Sequence, residues 1–226
     1  TAEVLLEVGD ATADGALIVE GQDTMVTLGS DTGTGDNGFV RVAEEGGIGS
    51  FVLRDGAQMH LLAGEEFGGG MQLSGGSDRD GGMASADITG DGTLLVADAG
   101  SITVGRNVGS STFTVSDGAD VEALFFTSGR DGTAATIFEG EGTTLTLAGA
   151  QVTPEFGAFL TVARNSEGSF LVSDGADVTI TGDGGDFPGF QVGRNDGGVG
   201  TLTVTGAGST ITIDGADNVD VNGGET

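Results

Sequence analysis

Arginine, asparagine and aspartate recur in three related segments of the sequence. ITVGRNVGSSTFTVSDGADV (102–121) returns as LTVARNSEGSFLVSDGADV (160–178) and, more loosely, as FQVGRNDGGVGTLTVTGAGST (190–210). Arginine binds anionic groups, and aspartate holds metal ions or carries protons, so the repetition could record a chemical motif. The same residue types also form corners, because asparagine and aspartate enter left-handed backbone conformations and close Asx turns. The positions of these segments in the predicted strands and corners distinguish the two interpretations.

The sequence repeats with a period of about 31 residues. In each unit an apolar residue precedes a glycine-rich corner, and these residues follow one another at intervals of 25 to 34 positions. They are Val8, Val42, Leu73, Val104, Ile137, Val162 and Val192. Such a period is typical of solenoids, in which each unit is one coil that stacks on the next. We therefore expect a single domain over residues 1–226, taken from a longer chain.

Each unit contains three short stretches in which apolar and polar residues alternate, as in half-buried β-strands. Examples of the predicted inward pairs are Val40/Val42 and Ala135/Ile137 for the first strand, Phe113/Val115 and Leu145/Leu147 for the second, and Leu94/Val96 for the third. The pattern predicts an all-β fold, namely a right-handed three-faced parallel β-helix (β-solenoid) of about seven coils, since crossovers between parallel strands are right-handed.

Composition restricts the partners of the chain. Its 226 residues include 35 acidic side chains and seven basic ones, all arginine, for a net charge of −28. Such a chain repels the phosphate backbone of nucleic acids and the surface of anionic membranes. The absence of cysteine excludes disulfides and thiolate metal sites, and no stretch is apolar enough for a membrane-spanning helix.

The period places the repeated arginines and asparagines at one corner of the coil. Counted from the apolar marker of each unit, Glu139 would lie between Arg106 and Arg164 as a surface charge ladder, and Asn165 and Asn195 would be hydrogen-bonded neighbours. We interpret these residues as a structural corner, with a catalytic arginine as the alternative. The corner comprises Arg106, Asn107, Glu139, Arg164, Asn165, Arg194 and Asn195.

Aspartate and glycine alternate from coil to coil at the next corner. Asp117 and Asp174 would be two coils apart, about 9–10 Å, with Gly149 between them. A single calcium ion, with its oxygens at about 2.3–2.6 Å, does not bridge that separation, and the alternation keeps like charges off adjacent rungs. SDGADV therefore predicts a turn. Local calcium binding through Asp117/Asp120 or Asp174/Asp177 is the alternative.

Calcium is the cofactor that the sequence suggests. Three loops that interrupt the repeat, SDRDGG, GDGGDF and DGADNVDVNGGE, combine carboxylates with glycines, which suits a hard cation, although none matches an EF-hand loop. The candidate metal ligands are Asp78, Asp80, Asp183, Asp186, Asp214, Asp217 and Asp220.

Residues suited to catalysis are sparse. His60 is the single histidine, and its apolar neighbours Met59 and Leu61 place it on the outer side of a strand. The chain lacks cysteine and a second histidine for a nucleophile–base pair, and it has no tryptophan or tyrosine on which sugars stack. We therefore predict no catalytic residues. A polysaccharide lyase or hydrolase on the same fold is the first alternative, and an ice-binding or surface-binding face of Thr-x-Thr segments is the second.

The segments VGRNDGGVGTLTVTGAGSTITI (192–213) and VGRNVGSSTFTVSDGADV (104–121) resemble the repeats of secreted bacterial β-helix proteins. These are autotransporter-type passengers and large adhesins exported by type I systems, and the resemblance covers most of the chain. It implies an extracellular or cell-surface location and a structural or adhesive role. The expected partners are neighbouring domains of the same chain, cell-surface or polysaccharide ligands, and further copies joined end to end through open sheet edges.

Overall fold

The computed structural model describes residues 3–11, 13–30, 36–63, 68–75, 80–148, 157–181, 189–214 and 219–220. Over these ranges the chain forms β-strands joined by turns, without a helix. In chain order the strands are β1 (Glu3–Val8), β2 (Asp14–Glu20), β3 (Met25–Leu28), β4 (Asn37–Val42), β5 (Ile48–Arg54), β6 (Gln58–Leu61), β7 (Gly70–Leu73), β8 (Asp80–Thr89), β9 (Leu94–Val104), β10 (Val108–Ser116), β11 (Asp120–Ser128), β12 (Thr133–Glu139), β13 (Thr144–Ala148), β14 (Phe159–Val162), β15 (Glu167–Ser173), β16 (Asp177–Thr181), β17 (Phe190–Val192), β18 (Val199–Thr205), β19 (Thr210–Asp214) and β20 (Val219–Asp220).

The fold is an all-β parallel β-solenoid. One sheet contains seven strands in chain order, β2, β5, β8, β10, β12, β15 and β18, and each pairs in parallel with the next. Two of these seven strands are edges, so the remaining five mark about five turns that are stacked on both sides. We call this seven-stranded sheet the second column.

The other sheet contains two lines of stacked strands. The first column comprises β1, β4, β7, the C-terminal halves of β9 and β11, β14, β17 and β20. The third column comprises β3, β6, the N-terminal halves of β9 and β11, β13, β16 and β19. In β11 the single residue Leu124 interrupts the register where the chain passes from the third column to the first. Equivalent strands of successive turns therefore stack on one another.

A single apolar core fills the interior from Val8 to Phe190. Four phenylalanines lie at its middle, with ring centroids 5.4 Å apart for Phe113 and Phe126, 5.7 Å for Phe126 and Phe170, and 5.5 Å for Phe138 and Phe170. Phe126 comes from the first column and the other three from the second. The rings thus join the two sheets, and each such aromatic pair stabilises the fold by about 0.5–1.5 kcal/mol beyond the burial of area.

The register differs from the sequence expectation at one turn. Val104 pairs with Ser128, which pairs in turn with Val162, so Ser128 occupies the position predicted for Ile137. Ala135 and Ile137 lie instead in the second column and face outward. The prediction for this pair was wrong, and the interval from Val104 to the next marker is shorter than expected.

Polar residues that point inward explain the error. Thr136 and Ser128 lie inside the solenoid, where the Thr136 hydroxyl donates a hydrogen bond to Ser128 Oγ at 2.9 Å. Ser128 Oγ in turn donates to the carbonyl oxygen of Ser169 at 3.0 Å. Because these hydroxyl groups are hydrogen-bonded, their burial costs little free energy. Because they are polar, the inward side of these strands does not show the apolar alternation by which a strand is predicted.

Two other strand assignments also change. Leu145 and Leu147 belong to the third column rather than the second, since Leu145 pairs with Val121. In β9 the inward residues are Leu95 and Ala97 instead of Leu94/Val96, because Leu95 also pairs with Val121. The four consecutive apolar residues LLVA give no alternation from which the inward side could be deduced.

Candidate functional site

A small residue with positive φ forms the corner after the first column. This left-handed conformation is accessible to glycine and is adopted less readily by residues with a side chain. The φ values lie between 54° and 79° for Gly9, Ala43, Ser74, Gly105, Gly129, Ala163 and Gly193. The next N–H group bonds to the preceding turn, for example from Arg106 to the Leu73 carbonyl at 2.9 Å. The corner therefore holds the residue after it in a fixed position on every turn.

Arginine occupies that next position on four successive turns. We call Arg106, Arg130, Arg164 and Arg194 the arginine ladder. Backbone hydrogen bonds connect its rungs, from Arg130 N to Gly105 O at 3.1 Å and from Arg164 N to Gly129 O at 2.6 Å. All four side chains are half-buried, and adjacent rungs of a parallel sheet lie about 4.8 Å apart. Four of the seven arginines of an acidic chain thus lie on one line.

Glu139 does not belong to this corner. It ends β12, where it pairs with Ser116 and Ser173, and Arg130 lies between Arg106 and Arg164 instead. The expected alternation of opposite charges was wrong because Ser128, and not Ile137, occupies the marker position of this turn. The corner is therefore a line of like charges.

A line of amide and carboxylate groups follows the arginine ladder. Asn195 Nδ2 donates a hydrogen bond to Asn165 Oδ1 at 2.5 Å, the contact that the repeat predicts. Asn165 Nδ2 donates to Asp131 Oδ1 at 2.6 Å, and Asn107 occupies the equivalent position one turn earlier. These side-chain bonds join successive turns outside the sheets and fix the position of the Asp131 carboxylate.

Burial and neighbouring cations disfavour the charged form of two arginines of the ladder, Arg106 and Arg194. Burial lowers the pKa of Arg106; the Asp131 carboxylate raises it, and the cations of Arg164 and Arg41 lower it. Burial and the charge of Arg164 likewise lower the pKa of Arg194. A lowered pKa means that the cation is less stable in the folded protein than in water. The fold therefore holds these cations at a cost in stability.

Threonines lie beside the arginine ladder on the outer side of the first column. Thr103 pairs with Thr127 and Thr127 with Thr161, and each precedes an arginine of the ladder by three residues. We call them the threonine row. Although they face away from the core, their exposed fractions are only 4%, 9% and 1%. The row is thus a recessed strip of hydroxyl groups beside a line of cations.

Several polar atoms of this strip lack a hydrogen-bond partner. They are Thr161 Oγ1 and the Nε atoms of Arg106 and Arg164, all buried. Most buried polar groups in proteins are hydrogen-bonded, and an unsatisfied one costs about 1–3 kcal/mol. Their concentration here makes the ladder and the row the candidate binding site of the described residues.

A sequence signal for the ladder and the row extends beyond the Arg-Asn motif. The segments TVGR (103–106), TSGR (127–130) and TVAR (161–164) share a threonine, a small residue and an arginine, and QVGR (191–194) continues the series. Arg130 is followed by aspartate, so it lies outside the Arg-Asn motif.

Two kinds of turn alternate at the corner after the second column. Asp-Gly turns lie at 55–56, 117–118 and 174–175, and turns that end in threonine or serine lie at 21–24, 90–93, 140–143 and 206–209. The N–H of Gly118 donates to Thr143 Oγ1 and that of Gly175 donates to Ser209 Oγ, both at 3.0 Å. The predicted alternation is present, with Gly140 between Asp117 and Asp174, whereas Gly149, the glycine expected there, lies outside the described residues.

Hydroxyl groups donate hydrogen bonds to the aspartates of the SDGADV segments, the alternative calcium ligands. Thr144 Oγ1 donates to Asp120 Oδ1 at 2.5 Å, and Thr210 Oγ1 donates to Asp177 Oδ1 at 2.6 Å. Asp117 Oδ2 accepts a longer bond from Thr89 Oγ1 at 3.2 Å. These carboxylates therefore take part in contacts between turns, which supports the interpretation of SDGADV as a turn.

The loop aspartates predicted as metal ligands are only partly described. Asp78, Asp183, Asp186 and Asp217 lie outside the described residues. Asp80 begins β8, Asp214 ends β19 with an exposed side chain, and Asp220 ends β20. Within the described ranges, the structure brings together no group of three or more histidine, cysteine, aspartate or glutamate side chains that could hold a metal.

The residues considered for the two alternative functions are dispersed. His60 lies in β6 between buried neighbours, with Nε2 3.5 Å from Gln58 Oε1. The Thr-x-Thr segments at 112–114 and 201–203 belong to the second column, whereas those at 144–146 and 210–212 belong to the third. The threonines therefore do not form one array.

No protein-family profile matches the chain, and neither a curated protein nor a solved structure shows a significant match to it. Among the described residues there is no helix long and apolar enough to cross a membrane.

Proposed function

We propose that the protein is a structural and adhesive segment of a large secreted or cell-surface bacterial protein. In this proposal the chain is a right-handed, three-faced β-helix of seven turns, an elongated acidic rod about 30 Å long at about 4.8 Å per turn. It presents neighbouring domains of the same chain and binds ligands along its side. No catalytic residue is assigned.

The continuous stack of turns supports this proposal most directly. The second column follows chain order through all seven of its strands, and one apolar core runs beneath it. A rod of this kind is stabilised by contacts between neighbouring turns, so that stiffness and length come from repetition. The similarity of the repeats to those of secreted β-helix adhesins supports the proposed location at the cell surface.

The competing function is a polysaccharide lyase or hydrolase on the same fold, which the line of arginines favours. We expect no unsaturated products when the protein is incubated with uronic-acid polysaccharides and absorbance of the products is followed. Any activity should be compared with that of an Arg106→Gln/Arg164→Gln variant, to separate it from a contaminating enzyme. Product formation that the variant abolishes would replace the structural proposal with the enzymatic one.

Calcium bound by the acidic loops is part of the proposal. We expect millimolar calcium to raise the thermal midpoint by several degrees and a chelator to reverse the increase. Because a net charge of −28 is stabilised by any screening cation, the control is magnesium at the same concentration and sodium chloride at the same ionic strength. Equal midpoints in calcium and in the two controls would remove calcium from the proposal.

A further inference from the structure

We propose that the arginine ladder and the threonine row together bind an acidic polysaccharide whose carboxylates lie along the axis of the solenoid. This inference names the ligand of the adhesive role proposed above and rests on it. It assigns Arg106, Arg130, Arg164 and Arg194 to carboxylate binding and Thr103, Thr127 and Thr161 to the sugar hydroxyl groups.

Charge indicates an anionic ligand. The chain has seven arginines against 35 acidic residues, yet four arginines lie on successive rungs of one corner. Like charges on adjacent rungs repel one another, and Asp131, which pairs with Arg130 at 3.7 Å, offsets only part of that repulsion. A structural corner has no need of a cation at each of these rungs. Carboxylates brought by a ligand would convert the repulsion into attraction.

The unsatisfied atoms indicate that the ligand carries oxygen atoms. The buried Nε groups of Arg106 and Arg164 are donors without a partner, and Thr161 Oγ1 is both a donor and an acceptor. A carboxylate accepts two parallel hydrogen bonds from a guanidinium, and a sugar hydroxyl exchanges bonds with a threonine. Binding of one acidic sugar beside Arg164 would therefore satisfy groups that the protein leaves unpaired.

Spacing argues against an acidic peptide, and the hydroxyl groups of the threonine row favour a polysaccharide. Adjacent rungs lie about 4.8 Å apart, whereas side chains on one side of an extended peptide recur every two residues, about 6.6–6.8 Å. A glycan carries hydroxyl groups on every sugar between its carboxylates, so it can contact the threonine row as well as the arginine ladder. The chain has no tryptophan or tyrosine, and the ladder and the row themselves offer a sugar charge and hydroxyl groups. A polyuronate combines both features.

Binding of polygalacturonate oligosaccharides tests the proposal directly. The measurement is calorimetric titration in about 0.15 M salt, where a Debye length of about 8 Å screens the distant acidic residues. Dextran is the neutral reference, poly-glutamate is the acidic polypeptide, and free galacturonate is the single sugar. We expect binding of the oligosaccharides and none of dextran, with free galacturonate and poly-glutamate at least about tenfold weaker.

Matched variants locate the site. Arg164→Gln should weaken binding about tenfold, and Arg106→Gln/Arg164→Gln should weaken it about 10- to 100-fold. Arg164→Lys keeps the charge but loses the planar fork and should fall between Arg164→Gln and the parent. The control is Arg54→Gln, which removes the same charge from a different corner, where Arg54 Nε bonds to Glu20 at 2.9 Å. It should bind as the parent does, within about twofold.

A second readout separates binding from structure. Because like charges on adjacent rungs repel one another, the double variant without ligand should melt at the parent temperature or above it. A lower midpoint would make the ladder a structural corner and overturn the proposal. Equal binding of dextran, poly-glutamate or free galacturonate would also overturn it, as would an equal loss in Arg54→Gln.

Failure of this inference can be distinguished from failure of the proposed function. If the oligosaccharides do not bind while scattering shows an intact rod and no product forms, the polysaccharide ligand is wrong and the structural role stands. If unsaturated products form, the proposed function itself is wrong.

Discussion

Val115→Asp should abolish cooperative folding of the solenoid. Val115 is fully buried and lies between Ile88 and Phe138 in the stack of the second column. The substitution removes about 1.5–3 kcal/mol of apolar burial and places a carboxylate where no partner is available, at a further cost of several kcal/mol. Small domains are stable by about 5–15 kcal/mol, so most of the folded population should be lost. Far-UV circular dichroism during thermal and urea denaturation measures the effect.

Thr112→Asp is the matched control. Thr112 lies in the same strand, three residues earlier, with its side chain exposed on the outer side. The same charge at this position should change the free energy of unfolding by less than about 0.5–1 kcal/mol. If Val115→Asp melted like Thr112→Asp, the assignment of the inward face would be wrong.

Gly70→Ala should destabilise the chain by about 3 kcal/mol or more, since it combines two effects. The φ of Gly70 is 137°, a conformation that residues with a side chain rarely adopt, and a Cβ atom would lie 2.0 Å from the carbonyl oxygen of Ser101. Gly70 pairs with Ser101 in the first column, so relief of the clash requires separation of two hydrogen-bonded strands. The midpoint of urea denaturation, at an unchanged slope, measures the loss.

Gly118→Ala separates conformational strain from the steric clash. Gly118 also has a positive φ, 80°, but the nearest atom to an added Cβ would be the Cα of Asp91 at 3.6 Å, an ordinary contact. This variant should cost only about 1 kcal/mol, the price of the left-handed conformation. A similar loss in both variants would show that the separation of the strands at Gly70 is not the limiting factor.

Sequence alone predicts the solenoid because its alternation is local. Pairs such as Phe113/Val115 combine apolar inward residues with polar outward ones, and the structure confirms that these two side chains are buried. The prediction fails where Ser128 and Thr136 point inward, because a hydrogen bond between them replaces apolar contact. Such a bond depends on two residues that are brought together by the fold and has no signature within one strand.

For the same reason, the sequence predicted only three of the four arginines of the ladder. Arg106, Arg164 and Arg194 were placed at one corner, but the shifted register put Glu139 among them and left Arg130 out. Alternating charges at a corner neutralise one another, whereas a line of cations is neutralised only by an added anion. The wrong assignment of Ile137 to the position of Ser128 therefore changed the predicted charge of the whole corner.

The alternating turns after the second column give the solenoid a structural period of two turns rather than one. Each Asp-Gly turn donates a glycine N–H to the hydroxyl group of the turn that follows, as Gly118 does to Thr143 and Gly175 to Ser209. Loss of a turn that ends in threonine or serine, or duplication of an Asp-Gly turn, would place two Asp-Gly turns next to each other, with adjacent carboxylates and one N–H group left without its acceptor. Loss or duplication of a pair of turns would preserve every such contact, so this corner permits changes of length in steps of two turns.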